Sequence, residues 1–239
     1  MQDVITEMME IFPSTYVHIG GDEAGKSNWK SCSKCQQRIK DNQLKDEFEL
    51  QSYAIRRMEK FISSKGRQLL GWDEILEGGL APGARVMSWR GEKGGIEAAR
   101  MGHDVIMTPG GTCYFDKYQQ DPATEPEAIG GFLPLQKVYE YEPMPKELEA
   151  DKQKHLMGAQ ANLWTEYVPT MEHAEYMIFP RIIALSEAVW TERKNMEWPD
   201  FQQRLSHHYQ LLQRLNVNYC RPSDRVEIRP LIDAPAGTT

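Results

Sequence analysis

The sequence predicts an α/β fold, a partial TIM (β/α)8 barrel, from three observations. Five short apolar runs alternate with helical patterns, and alternating βα units build a parallel sheet with right-handed crossovers. Four of the runs end in an aromatic residue, a carboxylate or both, and the other leads into a Tyr-Phe-Asp loop. Chemistry-bearing residues gathered at strand C-termini mark the rim of such a barrel. Five strands are too few to close one, hence a partial barrel.

Each element follows from local pattern. Asp3 to Ile11 reads as a helix, because Val4, Ile5, Met8, Met9 and Ile11 recur at helical spacing. Pro13 and Ser14 end it. Tyr16 to Ile19 is a strand that breaks at Gly20-Gly21 and then presents Asp22 and Glu23. A glycine pair lets the backbone turn sharply, so both carboxylates sit where a strand opens into a loop. Read alone, the same stretch is also an acidic loop capping the next helix. Ala24 to Asp46 reads as a long polar connection, and loops of that length are functional or inserted. Glu47 to Lys65 is a helix with Leu50, Tyr53, Ala54, Met58, Phe61 and Ile62 on one stripe, closed by Gly66.

Arg67 to Trp72 is the second strand, followed by Asp73 and Glu74, which read as hydrogen-bonding or helix-start residues. Arg85 to Trp89 is the third strand, after a turn at Ala81-Pro82-Gly83. Gly95 to Met101 is a short helix and Asp104 to Met107 the fourth strand. A loop rich in proline and glycine then carries Tyr114-Phe115-Asp116. Pro134 to Glu140 is a helix, and Leu156 to Asn162 is the fifth strand, leading to Trp164 and Glu166. Glu172 to Trp190 is a long apolar helix interrupted at Pro180, so a kink or two pieces is expected. Pro199 to Leu215 is the last helix. Residues 1–220 read as the barrel domain and 221–239 as a C-terminal tail, extended or disordered.

Bulk properties narrow the function. A net charge of -7 over 239 residues, with no basic patch, argues against nucleic acid as the main partner. No apolar run approaches the ~18 residues of a membrane span, and no signal peptide is visible. Of the four cysteines, Cys32 and Cys35 form one Cys-x-x-Cys without a second pair, which suits free surface thiols or a local disulfide better than zinc. His18 with Asp22 and Glu23 matches no zinc spacing either, so no metal and no cofactor are expected.

Trp72, Trp89 and Trp164 stand at the ends of three different strands. Singly, each reads as core. Together, beside carboxylates on one rim, they suggest a pocket for a sugar, whose apolar face packs on indole while carboxylates bind hydroxyls.

Five motifs in order carry a resemblance: His18-Ile19-Gly20-Gly21-Asp22-Glu23, Gly71-Trp72-Asp73-Glu74-Ile75, Met87-Ser88-Trp89, Tyr114-Phe115-Asp116 and Asn162-Leu163-Trp164-Thr165-Glu166. From residue 1 to about Asn216 the chain resembles the β-N-acetylhexosaminidases, glycoside hydrolase family 20. The resemblance implies removal of terminal β-linked N-acetylhexosamine from oligosaccharides or glycoconjugates. In that scheme the substrate's own 2-acetamido oxygen attacks the anomeric carbon, an exception to the two-carboxylate rule. It implies Glu23 as general acid and then base, Asp22 as the group orienting the acetamido N–H, and Tyr114 as donor to the acetamido oxygen. Trp72, Trp89 and Trp164 would enclose the acetyl methyl and sugar face. Asp116 and Glu166 would accept from sugar hydroxyls, and His18 would support the carboxylates.

By the same resemblance the first strand corresponds to the fourth of the barrel, giving strands 4 to 8. The family's substrate-binding arginine, expected after the first barrel strand, has no counterpart. Two expectations follow: self-association through open barrel edges, and weak hydrolysis by the truncated domain. The alternative is a non-catalytic sugar-binding or assembly remnant. A periplasmic or secreted location is the family expectation.

Overall fold

The computed structural model describes residues 1–222, so the tail read from residue 221 lies almost wholly outside the described residues. Five strands, β1 (Tyr16–His18), β2 (Gln68–Trp72), β3 (Arg85–Ser88), β4 (Val105–Met107) and β5 (Leu156–Ala159), form one parallel sheet. Their order is β1-β2-β3-β4-β5, each strand beside its successor in sequence. Around them lie α1 (Gln2–Ile11), α2 (Ser27–Ser31), α3 (Ser33–Asp41), α4 (Glu47–Ser64), α5 (Lys93–Arg100), α6 (Leu135–Tyr139), α7 (Met171–Ile178), α8 (Arg181–Trp190) and α9 (Trp198–Arg214).

Two readings are corrected, of the stretch after β1 and of the fifth strand. The stretch from Ala24 to Asp46 is not one loop; it folds as α2 and α3. Its apolar signal is weak because α2 buries no residue and α3 buries only Ile39. The connection from β2 to β3 is a 3-10 helix over Asp73–Leu76 and a turn, with no α-helix. The fifth strand stops at Ala159, and Asn162 instead makes an isolated parallel bridge with Tyr114. At Pro180 the helix breaks into two pieces, α7 and α8. Proline has no N–H to give, and its ring disfavours helical backbone at the residue before it.

Side chains alternate across a strand, and the sheet therefore has two distinct faces. Leu69, Val86, Val105 and Met107 point one way and join Ile55 and Ile62 of α4 and Ile96 of α5 in the main core. Leu70, Trp72 and Met87 point the other way and form a separate small cluster, with Ile106 and Trp89 packed on it. On that second face lies a cavity of about 590 Å3, lined among others by Tyr16, His18, Leu70, Trp72, Met87 and Trp164. One face is covered by helices and the other faces this cavity, and the rim residues singled out in the sequence follow the C-terminal ends of the strands.

The turn after β1 depends on glycine. Gly20 and Gly21 have φ of +74° and +104°. A Cβ on Gly21 would also meet Ile75 Cγ2 at 2.6 Å. The left-handed backbone continues in Glu23, at φ +50°, a conformation that costs about 1 kcal/mol or more in a residue with a side chain and clusters at functional sites. The strand pairing persists through this turn, since Trp72 N–H donates to Gly20 O at 3.0 Å.

Candidate active site

The rim residues meet as a chain of aromatic rings. His18 sits edge-on to Trp72, centroids 4.7 Å apart. Trp72 approaches Trp164 at 6.0 Å, and Trp164 approaches Tyr114 edge-on at 6.3 Å. Tyr114 stacks on Trp89 at 6.2 Å and 14°. The three tryptophans, far apart in sequence, thus join through Tyr114 into one wall. Trp72 is buried and Trp89 half-buried, whereas Trp164 is 40% exposed and forms the open lip.

Hydrogen bonds set several of these groups. His18 Nδ1 accepts from Gly20 N–H at 3.1 Å, which leaves Nε2 to carry the proton. Burial pushes the imidazole below its ordinary value against the opposing pull of Asp22, so His18 is neutral at pH 7. Its buried Nε2 has no hydrogen-bond partner among the described residues. Burial pushes the Tyr114 phenol up to about 12; at neutral pH it is a hydroxyl, able to donate. Asp22 is close enough to act electrostatically on both His18 and Tyr114.

Asp116 is 3% exposed, and its Oδ1 is buried without a partner among the described residues. Burial pushes its carboxyl above the usual carboxylate range, with Glu166 adding to that push. An unpartnered buried acceptor is costly to a fold and marks a place awaiting a donor. Because its pKa is raised on folding, the charged form that prevails above the unfolded value is the one the fold disfavours. Asp116→Asn is therefore expected to raise the thermal midpoint of the ligand-free protein by about 2–4 °C while weakening sugar binding. A calorimetric scan showing a lower midpoint contradicts this.

Not every predicted residue is enclosed. Asp22, Glu23 and Glu166 are exposed at the rim. The large cavity reaches the site through His18, Trp72 and Trp164, but Asp22, Glu23, Tyr114 and Trp89 do not line it. The cavity is the space under the rim rather than the sugar site itself.

The structure also adds groups to the site. Trp89 Nε1–H donates to Glu74 Oε2 at 2.9 Å, so the buried Glu74 fixes the plane of that indole. Asp73, equally buried, pairs with Arg90 Nε at 2.7 Å, and Arg90 reaches on to Glu77 at 3.0 Å. The reading of Asp73 and Glu74 as hydrogen-bonding and helix-start residues agrees with their place in the 3-10 turn. Arg90 lies outside the five sequence motifs, and its position directly after Trp89 is the signal that points to it.

A parallel sheet whose strand ends carry clustered indoles and carboxylates defines the class as an α/β protein with an aromatic, acidic cleft at its strand C-termini. The catalytic-domain model of glycosyl hydrolase family 20 matches residues 1–193, and the chain belongs to that family. It is 56% identical to a β-hexosaminidase of Porphyromonas gingivalis over 223 residues, 93% of this chain and 29% of the relative. It is 36% identical to a β-hexosaminidase of Vibrio furnissii over 187 residues, 77% of this chain and 30% of the relative. Among solved structures it resembles the family 20 exo-β-N-acetylglucosaminidase of Vibrio harveyi in complex with N-acetylglucosamine. The TM-score there is 0.83 and the identity 36%, covering 92% of this chain and 35% of that one. The chain thus spans about a third of the length of each of these three relatives. Among the described residues no helix is long and apolar enough to cross a membrane.

Proposed function

We propose that this chain is the C-terminal part, strands 4 to 8, of a (β/α)8 barrel that removes terminal β-linked N-acetylglucosamine or N-acetylgalactosamine by a retaining, substrate-assisted mechanism. The sequential parallel order and the single helix-covered face support the barrel, since a doubly wound sheet carries helices on both faces. The observation that carries the function is the ring wall Trp72–Trp164–Tyr114–Trp89 with Asp22 acting on Tyr114. It places an apolar enclosure, a neutral hydroxyl and a carboxylate together, as an acetamido group requires. The named activity of the relatives gives the non-catalytic alternative no support.

In this mechanism the acetyl methyl packs against the indoles. Tyr114 O–H donates to the acetamido oxygen and holds it under the anomeric carbon. Asp22 takes the acetamido N–H and stabilises the positive charge that grows there as the oxygen attacks. Glu23 protonates the departing glycosidic oxygen, then removes a proton from the water that opens the oxazolinium ring. Asp116 and Glu166 accept from sugar hydroxyls, and neutral His18 braces the turn that carries Asp22. A periplasmic or secreted setting belongs to the same proposal.

The test is substrate comparison. A β-glucoside with the same leaving group but a 2-hydroxyl in place of the acetamido group loses the internal nucleophile. Its kcat/KM is expected to be at least about 10³-fold lower in the intact protein. Equal turnover of both would point to a conventional two-carboxylate glycosidase.

For the 239-residue chain alone we propose weak turnover and self-association. Among the described residues β1 pairs only with β2, and beside it Met8, Met9, Phe12, Tyr16 and Val17 line a groove of about 330 Å3. Val4, Met8, Ile11 and Phe12 of this region are exposed, and such an edge invites pairing. Light scattering is expected to show dimers or larger species; a monodisperse monomer would sink the idea.

A further inference from the structure

We propose that Arg181 is a positioning residue for the reaction, acting through the segment Tyr114–Lys117; this rests on the roles given above to Tyr114 and Asp116. Arg181 opens α8 and is the largest fully buried side chain among the described residues. Among those residues no carboxylate lies within ion-pair distance of it. Its hydrogen bonds go to main-chain carbonyls instead. Nη2 donates to Phe115 O at 2.5 Å and to Met177 O at 2.6 Å. Nη1 donates to Lys117 O at 2.9 Å and to Leu133 O at 3.2 Å. Nε adds a bond to Met177 O at 3.2 Å, and the guanidinium lies 4.9 Å from the centre of the Phe115 ring.

This arrangement selects particular peptide planes. The carbonyl of Phe115 fixes the peptide that joins it to Asp116, and the carbonyl of Lys117 fixes the one that follows Lys117. From the opposite side Phe115 N–H donates to Asn162 O at 2.7 Å, and Asn162 N–H to Cys113 O at 2.8 Å. Tyr114 and Asp116 therefore stand on a segment clamped between Asn162, just past β5, and the first turn of α8. The segment has no ladder of its own beyond the single bridge at Tyr114; Asp116 O accepts from Ile129 N–H at 3.3 Å, and the carbonyls of Phe115 and Lys117 on either side take their hydrogen bonds from the fork. A planar guanidinium spans several carbonyls at once, whereas an ammonium is a point donor. Burying a full charge is costly. A fork aimed at the backbone on both sides of Asp116 is a reason to keep it, because sub-ångström aim of the Tyr114 hydroxyl decides whether the acetamido oxygen sits for attack.

The experiment uses Arg181→Lys and Arg181→Met, each alone and combined with Tyr114→Phe, in the intact protein. The readouts are kcat and KM on 4-nitrophenyl N-acetyl-β-glucosaminide, and calorimetric affinity for N-acetylglucosamine-thiazoline, a stable mimic of the cyclised intermediate. Arg181→Lys is expected to lower kcat and thiazoline affinity by about 10- to 100-fold, with KM little changed. In the Tyr114→Phe background the further loss is expected to disappear, since both changes remove one alignment. Multiplicative losses, the behaviour of independent sites, would overturn the inference and leave Arg181 a core residue only. Unchanged thiazoline affinity in Tyr114→Phe itself would instead overturn the reading of Tyr114, and with it this inference. Where the Arg181 variants fail to fold, amide hydrogen exchange on the unaltered protein decides. Residues 113–118 are expected to be protected before thiazoline is added; free exchange until it binds would show that the ligand orders the segment, not Arg181.

Discussion

Replacing Glu23 by Gln is expected to lower kcat on a chitobiose-type substrate by about 10²–10⁴-fold, the range that a positioned general acid supplies. Binding of N-acetylglucosamine is expected to survive, because the change removes a proton and not a wall of the site. The loss falls on the step in which the glycosidic oxygen departs. A substrate with a good leaving group, such as 4-nitrophenol, needs less protonation there and is expected to lose less. Steady-state kinetics on the two substrates, with calorimetry for the sugar, check this. An equal loss on both, or no loss on either, rejects Glu23 as the acid. Its position suits proton delivery. Glu23 is exposed at the rim, with left-handed backbone just past the Gly20-Gly21 turn.

Asp22→Asn is the second large effect, with kcat lowered by about 10²–10³-fold, as for other groups that stabilise charge only in the transition state. The substitution keeps shape and a hydrogen-bonding oxygen but loses the negative charge. That charge matters most when the acetamido nitrogen becomes positive, so kcat is expected to fall more than KM rises. Asn can also present its amide the wrong way and turn the acetamido group out of line. Measuring both parameters on 4-nitrophenyl N-acetyl-β-glucosaminide checks this; a pure KM effect would reassign Asp22 to ground-state binding. The neighbouring imidazole supplies a control. His18 feels the Asp22 charge, which raises its pKa against the lowering by burial. Removing the charge is expected to leave His18 neutral at pH 7, so its titration does not confound the comparison.

Two polar groups singled out in the sequence share one feature. Asp116 with its lone Oδ1, and His18 with its lone Nε2, are buried polar atoms unmatched within the described protein. A buried polar atom without a protein partner calls for strain, water or a ligand to account for it.

Much of the fold and the site was legible in the chain itself. Short apolar runs bounded by turn or rim residues placed all five strands, because such a run and the residues that break it are local properties. The motif around His18 to Glu23 and the three tryptophans named the rim for the same reason. The helices α2 and α3 were not legible, since their sequence is polar and they bury almost nothing, so no stripe announces them. What only the tertiary structure decided are contacts across the sheet. Glu74 holds Trp89 from 15 residues away, and Arg181 holds Phe115 from 66. Parallel register brings Trp72 beside Met87 and Ser88 beside Met107. It is this register, with the clamp of α8 on the loop after β4, that turns separate motifs into one wall. A residue's type sets which bond it can make; which partner receives that bond depends on strand pairing and helix docking, and those are properties of the whole fold.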